Sequence, residues 1–343
     1  MLRDENVTTA QPYGNRVGRG FAHARVPAHN RKRDAATISS LLRRPIEVTV
    51  MSEAKRESKG PVRGYFFDKS VVVTGASSGI GHDVALAFGE QGAQVALLAR
   101  RRVQLEELAT KINKAGGKAL ALDCDVTDRA RVFWAIEQVK EAFGKVDILI
   151  NSAGLLIAET VEQMRPEDLE RMMAVNVFGA LNAMQAVLPV MRQAKSGNIV
   201  NISSLAGRRG VSPLGGYAST KFALVGMTEA LRVELFNTGI KVSLVMPGVI
   251  DTPMARNALK HDTLKGVPAM MAMPARWVTW AVLAAAAFGL TEVDVPPGAA
   301  VAEKLASLFP GVTDALLSMG TRVMQGAATF MGGSAKAEHK SKS

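Results

Sequence analysis

Cysteine is nearly missing: Cys124 is the single thiol in 343 residues. No intrachain disulfide can form, which suits a reducing compartment and makes a cytoplasmic location the expectation. Nothing basic flanks Cys124 to hold a thiolate, so it reads as buried filler rather than a nucleophile. Histidine is scarce as well. The 5 present, His23, His29, His82, His261 and His339, show no ligand spacing and have no cysteine cluster beside them, so no metal is expected. Long apolar runs are also lacking. The longest, Trp277 to Leu290, has 14 residues interrupted by Thr279, too short to span a bilayer and better read as a buried helix. Residues 1–25 contain no apolar stretch of the kind a secretory signal needs.

What is present is the composition of a globular protein, 48% hydrophobic and 21% charged, enough for a sizeable core. A net charge of +11 would suggest nucleic acid, but it is concentrated at the ends. Residues 1–64 hold 13 basic and 6 acidic side chains, and 335–343 hold Lys336, Lys340 and Lys342 against Glu338. The body between is close to neutral and carries no basic stripe, so no nucleic-acid partner is expected. Residues 1–64, rich in Arg, Asn, Gly and Pro without apolar periodicity, are predicted to be a disordered extension, and 333–343 a disordered basic tail. Met51 opens MSEAKRESKGPVRGYFFDKS, an ordinary lead-in to a first strand. The hypothesis that follows is a functional chain starting at Met51; native peptides from 1–50 in mass spectra would refute it.

From Phe66 strands and helices alternate. Strands are predicted at 70–74, 94–98, 118–122, 146–150, 197–202, 240–245 and 291–295. Helices are predicted at 79–91, 102–116, 128–143, 167–193, 214–237, 275–288 and in pieces beyond 300. Runs such as VDILI and KVSLV are apolar throughout, as strands covered on both faces require. The fold class is therefore α/β, a doubly wound parallel sheet in a single domain over 65–299, followed by a helical arm over 300–332.

The stretch VVVTGASSGIG, Val71 to Gly81, ends a buried strand in a turn with glycines at 75, 79 and 81, after which a helix begins. A helix N-terminus behind a glycine turn offers backbone N–H groups and a positive dipole end to a pyrophosphate, although a plain tight turn would read the same. The second strand is followed by Arg100, Arg101 and Arg102, with no acid between Gln94 and Leu105. Cations at a helix start oppose its dipole. They are either a solvated cluster or a site for an anion, for which the 2′-phosphate of NADP is the natural candidate. After the third strand, Asp125 and Val126 are placed either to meet an adenine or, through Asp125 or Asp128, to cap the next helix. Tyr217 and Lys221, at i and i+4, share a helix face, and a cation beside a phenol lowers its pKa toward working pH. Tyr217 is thus a candidate acid/base, with Ser204 placed to polarise a carbonyl.

These segments together resemble the short-chain dehydrogenase/reductase family: TGASSGIG (74–81), DV (125–126), NSAG (151–154), Asn176 in VNVFG, Ser204, YASTK (217–221) and PGVIDT (247–252), in family order over about residues 66–255. The resemblance implies an NADP(H)-dependent oxidoreductase, with NAD(H) as the less favoured cofactor. Tyr217 would be the acid/base, Lys221 would bind the nicotinamide ribose, Ser204 would orient the carbonyl and Asn176 would hold a relay water. The cofactor would lie against Gly75, Ser77, Ser78, Gly79, Ile80 and Gly81, then Arg100, Asp125 and Val126. It would continue along Asn151, Ala153 and Gly154 to Pro247, Gly248, Ile250 and Thr252.

Residues 254–275 are expected to form a substrate lid, and Met254, Met270, Met271 and Met273 suit a hydrophobic substrate. Helices 167–193 and 214–237 carry more apolar residues than one stripe needs, among them Met172, Val175, Val177, Phe178, Leu181, Met184, Val187 and Leu188. In relatives these helices pair across a two-fold axis, implying a homodimer or tetramer. Pro310 divides the arm into two short helices that either pack beside the substrate pocket or make peripheral membrane contact.

Overall fold

The structure is a computed structural model describing residues 64–259, 272–316 and 318–319. The predicted terminal extensions, apart from Gly64, lie outside the described residues, as does most of the lid with Met270 and Met271. Seven strands form one sheet in the order β3-β2-β1-β4-β5-β6-β7. They are β1 Ser70–Thr74, β2 Gln94–Ala99, β3 Lys118–Asp123, β4 Ile148–Asn151, β5 Gly197–Ile202, β6 Ile240–Pro247 and β7 Glu292–Val295. Every pairing is parallel.

The apolar runs are explained by the two cores they serve. Val71 and Val73 face one layer and Val72 the other, because successive side chains of a strand point to opposite faces. On the first face lie α1 (Gly79–Glu90), α2 (Arg102–Lys114) and α8 (Ala275–Phe288), supplying Phe88, Leu105 and Val282 to the core. On the second lie α3 (Arg129–Phe143), α5 (Gly179–Ala194) and α6 (Gly215–Glu234), supplying Ile136, Val187 and Leu224. Truncating a fully buried side chain such as Phe88 to alanine would cost about 3–5 kcal/mol.

Asp128 caps α3 by accepting from Arg131 N at 2.9 Å, so of the two candidate caps the structure selects Asp128. The predicted helix 167–193 is α4 (Pro166–Met173) and α5 joined by a π-helical turn over Ala174–Phe178. Pro166–Ala194 as a whole is long and apolar enough to cross a membrane, but half of its most apolar window is buried within the protein, as in a core helix. A short helix, α7 (Pro253–Leu259), opens the segment expected as a lid. Beyond β7 come α9 (Ala299–Ser307) and a second helical stretch whose first residue is Pro310.

Strand order reverses between β1 and β4. In an open parallel sheet such a switch point leaves a crevice at the carboxyl ends of the strands. The loops after β1 and β4 meet there.

Candidate active site

Thr74, the last residue of β1, is buried, and its Oγ1 accepts from Ser152 N at 3.1 Å and Ala153 N at 3.2 Å. This ties the loop after β4 to the glycine turn. Each glycine of that turn has its own reason. Gly75 has φ +69°, and a Cβ on it would stand 2.7 Å from Ala153 Cα. Gly79 has φ +58°, in the left-handed region. At Gly81 a Cβ would stand 2.6 Å from the Gly75 carbonyl oxygen. Ser78 holds the N-cap position of α1 without bonding the helix N–H groups through its side chain, and no acid occupies the first turn. Donors and dipole are both left facing the crevice, which is the chemistry a diphosphate fits.

Above this turn opens a cavity of about 440 Å³. Gly75, Ser77 and Ser78 line one side; Asp125, Val126, Ala153 and Gly154 also line it. The three arginines at the end of β2 have separate fates. Arg102 turns back onto its own helix and pairs with Glu106 at 2.7 Å. Arg100 lines the cavity, with Nη1 3.8 Å from Asp125 Oδ2. Arg101 reaches over the glycine turn, donating to Ser77 Oγ at 2.9 Å and Ser78 Oγ at 2.6 Å. Sequence reading put Arg100 first; Arg101 is the cation held against the turn. Asp125 also accepts from Thr127 N at 3.0 Å through Oδ1, keeping its carboxylate on the cavity wall. Cys124 is buried there, and burial pushes its thiol up to about 11, as befits an inert filler.

A smaller cavity of about 100 Å³ adjoins the first, sharing Ser78 and Ser152. Gly79, Ile80, Gly81, Tyr217, Lys221 and Thr252 line it. Tyr217 and Lys221 project from α6 and are 9% and 5% exposed. Lys221 Nζ donates to Ile202 O at 3.1 Å and lies 5.7 Å from the Tyr217 ring centroid. Ser204 follows β5, caps the turn Leu205–Gly207 by accepting from Ala206 N at 3.1 Å, and is hydrogen-bonded to Tyr217.

The electrostatics differ from the sequence expectation. Burial raises the Tyr217 pKa to about 12, with the Ser204 hydrogen bond pulling it back only in part. Burial also lowers Lys221 to about 8. The phenol is not brought toward neutral pH as expected, because both groups are desolvated and the ammonium is directed to a backbone carbonyl.

Asn176 sits in the π-helical turn, 1% exposed. Its Oδ1 accepts from Leu155 N at 2.7 Å, while Nδ2 donates to Leu155 O at 2.8 Å and Thr220 Oγ1 at 2.9 Å. It thereby clamps the loop after β4 to the helix bearing Tyr217. The Asn151 side chain points into the interior, donating to Asn201 Oδ1 at 2.8 Å, and Asn201 in turn donates to Thr228 Oγ1 at 2.9 Å.

Pro247 ends β6, and Gly248 N donates to Val295 O at 2.8 Å. Ile250 is buried and bridges Met273. Thr252 accepts from Ala255 N at 3.2 Å at the start of α7 and lies 3.7 Å from where a Gly79 Cβ would be. Met254 lines the smaller cavity. Of the site residues, Asn151, Asn176, Ser204, Pro247, Gly248 and Ile250 line neither cavity; the others line one or both.

Comparison with known proteins agrees with this geometry. The family described as short chain dehydrogenase matches residues 69–263. An uncharacterized oxidoreductase of Staphylococcus saprophyticus is 40% identical over 190 residues, 55% of this chain and 81% of that protein. Glycine betaine reductase of Emericella nidulans is 38% identical over 207 residues, 60% of this chain but 16% of that much longer protein. A crystal structure of a short-chain type dehydrogenase/reductase from Mycobacterium marinum superposes with a TM-score of 0.62 at 31% identity, over 68% of this chain and 95% of that one. The fold is a Rossmann-type doubly wound sheet whose crevice is built for a nicotinamide cofactor. The chain belongs to the short-chain dehydrogenase/reductase family and is an oxidoreductase of that family.

Proposed function

We propose that this protein is an NADP(H)-dependent oxidoreductase that interconverts a ketone or aldehyde and the corresponding alcohol. The observation that carries the reading is the juxtaposition of Tyr217, Lys221 and Ser204 beside the glycine turn. Gly75 to Gly81 would hold the diphosphate, Arg100 and Arg101 the 2′-phosphate, and Asp125 with Val126 the adenine. Lys221 and Thr252 would hold the nicotinamide end. NADP(H) is favoured over NAD(H) because no acid follows β2 and two of the three arginines there, Arg100 and Arg101, line the cavity.

When bound, the cofactor supplies the hydride. In reduction Tyr217 gives its proton to the carbonyl oxygen as the carbonyl carbon takes the hydride, so the C=O bond becomes H–C–O–H. A phenol with its pKa raised to about 12 keeps that proton at neutral pH. Lys221, charged below about 8, stabilises the phenolate left behind. Ser204 accepts from Ala206 N and its hydroxyl stands against Tyr217, so it would orient the substrate carbonyl beside the phenol. Asn176 keeps the loop and helix in register and, as the family resemblance implies, holds the relay water.

Met254 and Met273 beside the site favour an apolar substrate. The arm touches the segment that follows Ser204: Arg209, five residues on, donates to Asp314 at 2.5 Å. We read the arm as part of the substrate side, in a cytoplasmic protein. Deleting 300–343 should then destabilise the protein or change its substrate range. Unchanged folding and kinetics with lost vesicle binding would support peripheral membrane contact instead.

The rival is a cofactor-binding regulator without turnover, for which three aligned catalytic groups have no use. A panel of apolar ketones with NADPH, followed by nicotinamide absorbance, separates the two: turnover supports the enzyme, and tight NADPH binding with no turnover on any member supports the regulator.

A further inference from the structure

We infer that Arg171 is an additional recognition residue for the adenosine-phosphate half of the cofactor, a role resting on the large cavity being the cofactor groove. Arg171 on α4 lines the large cavity with Ala174 and Val175 of the π-helical turn, and Asp125 and Arg101 line it too. Tyr217 and Lys221 line the smaller cavity, which Arg171 does not.

Its setting distinguishes it from an ordinary helix-surface arginine. Asp168 is 8% exposed, and Arg165 holds its Oδ2 at 2.6 Å and 2.8 Å, leaving Oδ1 to Arg171. Arg171 makes only the longer contact with it, 3.3 Å through one Nη1. That contact steers the side chain while leaving the other guanidinium donors without a partner among the described residues, and the side chain is 66% exposed. A planar cation with free donors on a groove wall, near Arg100 and Arg101, suits the anionic oxygens of an adenosine phosphate. The cavity would then present guanidinium groups from the end of β2 and from α4.

The test is equilibrium binding to the full chain, by calorimetry, of NADPH, of 2′,5′-ADP and of reduced nicotinamide mononucleotide. Arg171→Ala should weaken NADPH and 2′,5′-ADP alike, by about tenfold at low salt, since an exposed charge-assisted contact is worth less than a buried one. The mononucleotide should bind as it does to the wild type, and the tenfold loss should shrink as salt is raised. Unchanged affinity for 2′,5′-ADP in Arg171→Ala would overturn the inference while leaving the cofactor reading intact. A wild-type chain that binds neither NADPH nor 2′,5′-ADP would overturn both. Should the alanine variant fold poorly, Arg171→Gln removes the charge with less loss of side chain and is expected to show the same selective loss.

Discussion

Arg101 crosses from the end of β2 to the glycine turn and donates to Ser78 Oγ at 2.6 Å, placing a guanidinium directly over the N-terminus of α1. A cation there is unfavourable by the helix dipole alone, so the arrangement gains when an anion joins it. Arg100→Asp should shift preference from NADPH toward NADH, by removing a phosphate contact and adding a ribose acceptor. Arg101→Ala should weaken NADPH by about tenfold or more and NADH less, because a bond to a charged group is lost. Dissociation constants for both nucleotides decide the matter, and a wild-type protein that already prefers NADH would contradict it.

The burial of Lys221 gives a pH prediction. Its folded pKa is lowered to about 8, so the ammonium is present below that pH and lost above it. Tyr217, raised to about 12, stays protonated throughout the working range. The rate of reduction, kcat/KM, should therefore be level below about pH 8 and fall above it, and Lys221→Arg should move the fall out of range. The unfolded chain holds the lysine proton up to 10.5, so from this group stability rises with pH between about 8 and 10.5. A wild-type profile flat to pH 10 would refute the assignment.

Much of this was legible in the sequence. The valines of β1 announce a strand covered on both faces, and the seven strands fall within a few residues of their expected places. The π-helical turn was not legible, because MMAVNVFGA has continuous helical spacing. What supports that turn is tertiary, the bonds from Asn176 to Leu155 and Thr220. Nor do three consecutive arginines tell which one turns toward Ser77 and Ser78. The direction of the Tyr217 shift depends on desolvation, which i, i+4 spacing does not reveal.

Gly81→Ala tests the tightness of the turn. The new methyl would meet the Gly75 oxygen at 2.6 Å and its carbonyl carbon at 2.9 Å, both backbone atoms that cannot step aside cheaply. A cost of about 1–3 kcal/mol is expected, lowering the melting midpoint by about 2–4 °C per kcal/mol and weakening NADPH binding. Wild-type melting with wild-type affinity would show that the turn yields.

Assembly is predicted to be a homodimer or tetramer, though for a narrower reason than the sequence suggests. Met172, Val177, Met184 and Val187 are buried within the monomer and cannot serve an interface. Phe178 at 55%, Phe222 at 45% and Phe236 at 77% remain exposed on the π-helical turn, on α6 and just beyond α6. Phe178→Asp should dissociate the oligomer, seen by light scattering. A wild-type monomer mass at micromolar concentration would rule it out.

The central claim is that Tyr217 donates the proton in an NADPH-dependent carbonyl reduction. Its most direct test pairs turnover with cofactor affinity in Tyr217→Phe, using any ketone the wild type reduces. The predicted result is an unchanged NADPH dissociation constant and a loss of at least about a hundredfold in kcat, the usual share of a positioned acid. Near-wild-type turnover in Tyr217→Phe would contradict it.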